Sequence, residues 1–568
     1  MTVRAQTGRW QGMIPALLAA MLVACGGGGG GGTTAPPVSN TPPPRTLTKA
    51  ELDDASRFAG QATFGLTYAE LEALARSDQN TWLNTQFSLP VTLHSPTVVD
   101  IVTRRAAGEF DAFEEDIEYL IFARRLAWWH NTVTAEDTLR QRVAFALSQI
   151  FVVSDNVDSL LVYPAALSTY YDVLLRNAFG NYRDLLYEVA TSPAMGVYLS
   201  HLNNRRSDPA NNIFPDENFA REVMQLFSIG LFELNQDGTV VRDGIGDPVP
   251  TYDNSDIAEF AKIFTGFSFG GTAAFFGNEN DPRFSVPMQM FDAAHEPGEK
   301  VLLNGTVVPA GQSGLQDVQA AVDNLFNHPN VGPFIGKQLI QRLVTSNPSP
   351  AYVSRVSAIF ADNGSGVRGD LQAVIRAILT DSEATTRPPV SANNGKLREP
   401  VVRYVSLLRQ FEATSEDGFI AALGYFLQQV TRQHPLSAPS VFNFYLPGHA
   451  PAGDIASAGL VAPEFQITDA NSIVGWPNLI DAILFADLVT DAPEGFAPVS
   501  LQFDEWLALA SDATALVDRL DTLLTGGELS PELRQITIDS VDILQSNELR
   551  VQAAIYLFLI SPDYLVQR

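Results

Sequence analysis

Asp137-Thr-Leu-Arg-Gln-Arg-Val-Ala-Phe-Ala-Leu-Ser-Gln-Ile-Phe-Val-Val153 decides the fold, because this stretch is apolar on nearly every face after Arg142. A helix without a polar face must be surrounded by other elements, so this segment belongs at the centre of a sizeable helical core. Amphipathic helical patterns flank it on both sides from Thr48 onward. The sequence therefore predicts a mainly α fold, with a single large multi-helical domain over residues 47–568.

One segment interrupts the helical pattern. Leu231-Phe-Glu-Leu-Asn-Gln-Asp-Gly-Thr-Val-Val241 alternates around the turn pair Asp237-Gly238, which predicts a small β-hairpin insertion. Its acidic and amide residues also imitate the opening of a calcium loop, but Gly244 stands where such a loop carries its bidentate glutamate. We expect a plain hairpin and no cofactor, while a calcium ion held by loop carboxylates stays open.

The composition bounds the function. The chain has 568 residues, with 36 Lys and Arg against 64 Asp and Glu, a formal net charge of −28, and 46% hydrophobic residues. A surface so acidic repels a polyanion, so no nucleic-acid partner is expected. A single cysteine excludes an intrachain disulfide and a cysteine-based zinc cluster. None of the seven histidines is spaced for a helical metal site, so we predict no metal site.

The N-terminus has the pattern of a bacterial secretory signal. Arg4 and Arg9 precede an apolar run over residues 13–23, which is too short for a membrane-spanning helix, since such a helix needs about 20 residues. The run ends at Cys25 in a sequence that resembles a lipobox, where the thiol receives a diacylglyceryl group. We predict a signal peptide over residues 1–24 and lipidation of Cys25; an ordinary signal peptide that contains a cysteine is the alternative.

Residues 25–46 are predicted to form a lipidated, flexible tether. Seven glycines follow the cysteine, and a proline-rich stretch follows them, so the chain is slack at first and then more extended. Gly26 occupies the position where an aspartate retains many lipoproteins at the inner membrane. The resemblance therefore implies an exported protein that is lipid-anchored to the bacterial outer membrane, on its periplasmic or its cell-surface face.

Phe214-Pro-Asp-Glu-Asn-Phe-Ala-Arg-Glu-Val-Met-Gln-Leu-Phe227 is the segment most able to carry chemistry. One side of its helix presents a continuous polar row at spacings i, i+3, i+4 and i+7, which we call the polar stripe: Asn218, Arg221, Glu222 and Gln225. The stripe is either a solvated surface or a row facing a cleft, in which Glu222 is a base or ligand and Arg221 binds an anionic group. A third interpretation is a buried Arg–Glu network that ties helices together.

An ordered series of motifs resembles the bacterial family called domain of unknown function 1800, over about residues 55–565: Ala62-Thr-Phe-Gly65, Leu139–Ser148, Tyr170–Asn181, Pro193–Leu199, Pro215–Phe227, Thr265-Gly266-Phe267, His295 with Lys300, Lys396-Leu-Arg-Glu-Pro400, Ser440–Pro447 and Ala462-Pro-Glu-Phe465. Members are exported and mainly helical, which the resemblance implies for this chain. It also implies a candidate partner, a second exported protein with an alkaline-phosphatase-like fold. Glu296 departs from many members, in which an aspartate follows the histidine.

Two functions from different classes are compatible with these patterns. The first is a surface- or periplasm-facing helical module that binds or assembles with another exported protein or an envelope polymer, with Asn218, Gln225 and Lys300 as candidate binding residues. The second is a hydrolase or other enzyme acting on an extracellular polymer. Its candidate catalytic residues are Glu222 or Glu217 as acid/base, His295 as proton carrier and Arg221 as electrostatic clamp. Because Glu217 and Glu222 do not face each other on a helix, a catalytic pair needs a carboxylate from elsewhere, and the candidates are Asp256, Asp292 and Glu399.

Overall fold

Residues 45–568 are described by a computed structural model, except 109–115, 278–281, 388–394, 422–423 and 487–495. The predicted signal peptide, Cys25 and almost all of the predicted tether lie outside these residues. The chain divides into two units, Met1–Thr46 and Leu47–Arg568. The helices and strands described here belong to the second unit.

Helices dominate this unit, and the predicted mainly α fold with small β elements is confirmed. The helices of its first half are α1 Lys49–Ala62, α2 Tyr68–Arg76, α3 Gln79–Ser88, α4 His94–Ala106, α5 Asp116–Thr134, α6 Thr138–Ser148, α7 Asp158–Leu161, α8 Pro164–Asn177, α9 Tyr182–Ala190, α10 Pro193–Tyr198, α11 Asn218–Gln225, α12 Asn254–Ile263 and α13 Gly314–Phe326. Those of its second half are α14 Val331–Leu343, α15 Pro350–Ala361, α16 Leu371–Thr380, α17 Ser382–Thr385, α18 Pro400–Gln410, α19 Gly424–Thr431, α20 Asp454–Ser457, α21 Ala470–Phe485, α22 Asp504–Leu507, α23 Ala513–Leu520, α24 Pro531–Asp542, α25 Asn547–Leu559 and α26 Pro562–Leu565.

The strands are short and form two-stranded antiparallel pairs. These pairs are β1 Phe267–Ser268 with β2 Gln289–Met290, β3 Lys300–Leu302 with β4 Thr306–Val308, β5 Lys396–Leu397 with β8 Val566–Gln567, and β6 Thr414–Ser415 with β7 Val499–Ser500. The β5–β8 pair ties the segment before α18 to the C-terminal end of the chain.

The segment predicted as a hairpin folds back on itself through isolated bridges rather than long strands. Leu234 pairs with Val240 across the turn, and the carboxylate of Asp237 accepts the backbone N–H of Thr239 at 3.0 Å. Gly238 has φ +75°, the left-handed conformation that glycine adopts without strain. A third stretch continues the fold, because Phe232 also pairs with Pro250. We call residues 231–251 the hairpin.

Helix α6 lies in the core, as its apolar sequence predicts. Every residue from Thr138 to Leu147 is buried, including two arginines and a glutamine that lie among apolar neighbours. The helix packs against α8, α3 and α14, and Phe145 contacts the rings of Phe64 and Trp128. The contact with α14 matters most for function, since it brings the end of α6 close to the hairpin side of the molecule.

Within the part of the chain that the structure describes, no helix combines the length and apolar character needed to cross a bilayer.

Candidate functional site

The side chains of the polar stripe on α11 range from exposed to buried. Asn218 is exposed and Arg221 is partly exposed, and the Arg221 guanidinium lies 3.3 Å from the exposed carboxylate of Glu217. Gln225 is half-buried, and its side-chain oxygen accepts a hydrogen bond from the Tyr252 hydroxyl at 3.3 Å. The Arg221–Glu217 pair lies at the surface, where water screens it strongly.

Glu222 is the buried member of the stripe. Its side chain is 6% exposed, and its Oε2 atom has no hydrogen-bond partner among the described residues. Burial raises the pKa of Glu222, and the charge of Arg221 opposes this only in part. Burial also raises the pKa of Tyr198 to about 12, with the charge of Glu222 as the second cause. A raised carboxyl pKa is one property of a general acid, and the pKa of Glu222 is shifted in that direction.

His295 and Lys300 lie in a buried network with Asp317, at the start of α13. His295 Nε2 is 2.9 Å from the Asp317 carboxylate and 3.3 Å from Lys300 Nζ, which also forms an ion pair with Asp317. On the other side of the ring, Nδ1 lies 2.9 Å from the Thr265 carbonyl oxygen and donates to it. All the polar atoms of this network that carry charge have partners, so it ties β3 to α13.

The position that follows Thr265 in this network requires glycine. Gly266 has φ +90°, and an added Cβ would lie 2.9 Å from the carbonyl oxygen of Phe291 and 3.0 Å from the Cβ of His295. Both the backbone conformation and the close approach require glycine. The backbone of Gly266 thus lies directly against His295, and the carbonyl oxygen of Thr265 binds the histidine ring.

The structure does not join the stripe and the histidine in one hydrogen-bonded network. Helix α12 packs against α11, β3 and α13. The partners of His295 are Thr265, Lys300 and Asp317, whereas the side chains of the stripe contact Ser200, Glu217 and Tyr252. The candidate catalytic residues therefore belong to two separate sites, one on α11 and one around His295.

A third group of charged residues lies beside a cavity, and sequence reasoning identified only one of its members, Glu399, as a candidate. We call it the ion cluster: Arg142 from α6, Arg342 from α14, Lys396 and Glu399 from the segment before α18, and Glu464. These five side chains are between 0% and 4% exposed. Lys396 forms an ion pair with Glu464 and lies 3.9 Å from Glu399. Arg142 and Arg342 have no carboxylate at ion-pair distance among the described residues.

Neutral side chains connect the two halves of the ion cluster. The Gln149 amide donates to Glu399 at 2.5 Å, and its oxygen accepts from Arg342 at 2.7 Å and from the Tyr445 hydroxyl at 3.1 Å. Gln433 donates to the same Glu399 oxygen at 2.6 Å. Charge-assisted hydrogen bonds of this kind make burial of the carboxylate tolerable.

The two carboxyl groups of the ion cluster have different protonation behaviour. Burial alone would raise the pKa of Glu399, but the charges of Lys396 and Arg142 outweigh it and lower that pKa. Burial raises the pKa of Glu464; Lys396 opposes this effect and the charge of Glu399 adds to it. Environments that separate two carboxyl pKa values in this way are typical of functional sites, although structural ion networks do the same.

A cavity of about 420 Å³ opens beside the ion cluster, between the hairpin, α14 and residues 441–448. We call it the hairpin cleft. One face of α14 lines it at helical spacing, through Phe334, Lys337, Gln338, Gln341 and Arg342. Gln225, the last residue of the stripe, is also part of its wall.

The rim and the floor of the hairpin cleft differ in character. At the rim, Leu231 is 48%, Phe442 43% and Leu446 45% exposed. At the floor, Gln338 and Arg342 also line a small cavity of about 10 Å³ that reaches Glu464. The cleft therefore has an apolar entrance and a polar, charged base, which is the composition of a small-ligand site.

In the described ranges, no group of three or more His, Cys, Asp or Glu side chains is arranged to bind a metal ion. The hairpin carboxylate of Asp237 instead accepts from Thr239, as described above.

The described unit is thus a large helical domain that contains a buried ion cluster beside a cleft with an apolar rim. The family model described as "Protein of unknown function (DUF1800)" matches residues 57–566, and the chain belongs to that family. No curated protein and no solved structure matches the chain.

The sequence carried a signal for the ion cluster, although no spacing rule identified it. Three residues of the cluster lie in two short motifs of the sequence. Lys396 and Glu399 belong to Lys396-Leu-Arg-Glu-Pro400, and Glu464 belongs to Ala462-Pro-Glu-Phe465. Arg142 is a charge inside a helix that is otherwise apolar on nearly every face. A charge in such a position needs hydrogen-bond or ionic partners inside the core, and this rule points to the cluster.

Proposed function

We propose that this chain is an exported, lipid-anchored binding module, and that it takes the apolar part of another molecule of the bacterial envelope into the hairpin cleft. The observation that carries the proposal is the cleft itself, a cavity of about 420 Å³ with apolar side chains exposed at its rim. Exposed apolar side chains gathered around a cavity mark interaction sites in soluble domains. The N-terminal sequence pattern supports export and lipidation of Cys25.

A neutral fluorescent dye tests the apolar cleft directly. Wild-type protein should bind Nile red, and the double variant Leu231→Asp, Leu446→Asp should bind it at least about tenfold more weakly, because carboxylates at the rim oppose an apolar ligand. Ile543→Asp is the matched control, since Ile543 is 75% exposed and does not line the cleft. Equal affinity of the double variant and the control would overturn the proposal.

The membrane part of the proposal has its own test. Cys25→Ala should move the chain from the membrane fraction to the soluble fraction of the envelope, because the lipid anchor would be lost. Mass spectrometry of the wild-type N-terminus should show acylated Cys25 and no residues 1–24. An unmodified cysteine in the exported protein would contradict this part and leave the cleft unaffected.

If the bound molecule is a protein, the proposed partner is an exported protein with an alkaline-phosphatase-like fold. Its support is the family resemblance, because such a protein is often encoded beside members of the family. Gel filtration of the two purified proteins, separately and mixed, should show a complex that elutes earlier than either component. Unchanged elution at high micromolar concentration would remove this partner.

An enzyme acting on an envelope polymer is the second candidate, and one observation favours it. The Glu222 carboxyl is buried, has an unpartnered Oε2 and has a raised pKa. Glu222→Gln and Glu222→Ala should both abolish complementation of a deletion strain if Glu222 is a general acid, while both variants remain folded. Full complementation by folded Glu222→Gln would remove Glu222 from the catalytic hypothesis.

A further inference from the structure

Two buried hydrogen-bond donors at the floor of the hairpin cleft have no partner. Gln338 Nε2 and Arg342 Nε are both buried and make no hydrogen bond with any described residue. They are four residues apart on α14, so they lie on the same face of the helix, and both side chains line the cleft. Other buried donors in the described chain also lack a partner, but these two belong to side chains that line the cleft, so an acceptor bound there would satisfy both.

The charges below the cleft point to the same kind of acceptor. In the ion cluster, three cations face two carboxylates, so at least one positive charge is in excess. Arg342 is held by neutral oxygens of Gln149, at 2.7 Å and 3.1 Å, rather than by a carboxylate. A buried cation without an anionic partner costs several kcal/mol. An anion bound at the floor would remove that cost.

The wall of the cleft is also free of competing acids. Its described lining residues include Lys337 and Arg342 but neither aspartate nor glutamate. This distribution is notable in a chain with 64 acidic and 36 basic residues. Lys337 is exposed and makes no hydrogen bond or ion pair within the described part of the chain. The ammonium group of Lys337 and the Nε–H of Arg342 are therefore available to an anion, while the other two guanidinium nitrogens of Arg342 already donate to Gln149.

We propose that the hairpin cleft binds a long-chain carboxylate, the chemistry of a fatty acid. The carboxylate accepts hydrogen bonds from Arg342 Nε–H and Gln338 Nε2–H at the floor, and the hydrocarbon chain runs along Leu234 and Phe334 towards the rim. This assignment rests on the proposed function, because it names the ligand class of the same cleft.

An acyl chain fits the wall better than a peptide does. An extended peptide brings an N–H and a C=O group for every residue, and each needs a partner when it leaves water. The wall is mostly apolar, and Gln341, one of its few amides, already donates to the carbonyl oxygens of Ser346 and Pro447. A ligand with one polar end and no internal polar groups leaves the fewest groups unpaired.

Matched amphiphiles test the assignment on the full chain. Calorimetric titration below the critical micelle concentration should give dodecanoate at least about tenfold tighter than dodecanol or dodecyltrimethylammonium, since a hydrogen-bonded charge is worth more than a neutral contact. Gln338→Leu, which keeps the side-chain volume, should weaken dodecanoate about tenfold and leave dodecanol unchanged. Gln535→Leu, at an exposed position of α24 that does not line the cleft, is the control and should change neither affinity.

The outcomes separate the two proposals. Equal affinity for the three amphiphiles, with Nile red still bound, would overturn the carboxylate and leave the apolar cleft. Loss of Nile red and amphiphile binding together would overturn the proposed function itself. A peptide with an apolar, free C-terminus that bound more tightly than dodecanoate, and lost affinity on amidation, would overturn the acyl chain in favour of a peptide ligand.

Discussion

The polar stripe on α11 and the ion cluster below the hairpin cleft differ in how their charges are held. The stripe places its charges at local helical spacing, and its Arg221–Glu217 pair is 41% and 49% exposed. The ion cluster gathers side chains from four distant segments, and all five are almost fully buried. Polar periodicity therefore located a surface with one buried carboxyl group. Spacing did not locate the ion cluster, because its charges come from separate segments of the chain.

The largest effect is expected at Glu399. Glu399→Gln removes a fully buried carboxylate that faces Lys396 and Arg142, so three cations would remain with one carboxylate. Breaking a buried ion pair costs about 3–5 kcal/mol of unfolding free energy. Because the pKa of Glu399 is lowered by folding, this stabilisation is present above pH 4.5 and is lost as the pH falls through the folded value. Urea denaturation at pH 7 measures the cost.

Glu217→Gln is the matched control for that substitution. Glu217 contributes to a surface pair, so its removal should change the unfolding free energy by no more than about 0.5 kcal/mol. If the two variants lost equal stability, the distinction between the stripe and the ion cluster would not hold.

The pair Lys396 and Glu464 should show strong coupling. Lys396→Met alone leaves the buried Glu464 carboxyl without its cation, and Glu464→Leu alone leaves Lys396 with the more distant Glu399. The double variant should be more stable than the sum of the single losses by about 1–3 kcal/mol, because it removes both charges together. A double-mutant cycle in urea gives the coupling. Additive losses would show that Lys396 and Glu464 do not act as a pair.

Much of the fold could be predicted from the sequence, because its determinants are local. The apolar faces of α6 required a central position, and Asp237-Gly238 indicated the turn of the hairpin. The ion cluster could not be predicted in this way, since Arg142, Arg342 and Glu464 come together only through packing of distant helices. Asp317, which completes the network of His295 and Lys300, was not predicted for the same reason.

The stripe was harder to interpret because it lies at the edge of the helix's apolar face. Glu222 is one position from Val223, which is fully buried, and three from Phe219, which is also buried. A small rotation of the helix therefore decides whether Glu222 meets water or protein. Sequence spacing gives the order of side chains around a helix and not its rotation relative to the core.

Replacing Glu222 should have a moderate effect on the unfolding free energy, and this effect should depend on pH. Burial raises its pKa from the ordinary value of 4.5, so the folded state takes up a proton that the unfolded state has lost. The contribution of Glu222 to stability is complete below pH 4.5 and is lost as the pH rises through the folded value. Glu222→Gln lacks this loss, and it should be more stable than wild type at pH 7.5 by about 1 kcal/mol and equal to it near pH 4.5. Urea titrations at both pH values decide it, and a variant less stable at pH 7.5 would show that ionised Glu222 has a buried partner.

Arg221→Gln should give the smallest effect and decides between the remaining interpretations of the stripe. The Arg221–Glu217 pair is half exposed, so its loss should cost about 0.3 kcal/mol, and 0.5 M salt should abolish the difference from wild type. A buried Arg–Glu network would behave differently, because a desolvated pair is insensitive to salt and its loss costs about 3 kcal/mol or more. Urea denaturation at low and high salt separates the two cases. A small, salt-dependent loss would identify Arg221 as a surface residue available to a partner, and would leave Glu222 as the one member of the stripe whose burial needs a chemical explanation.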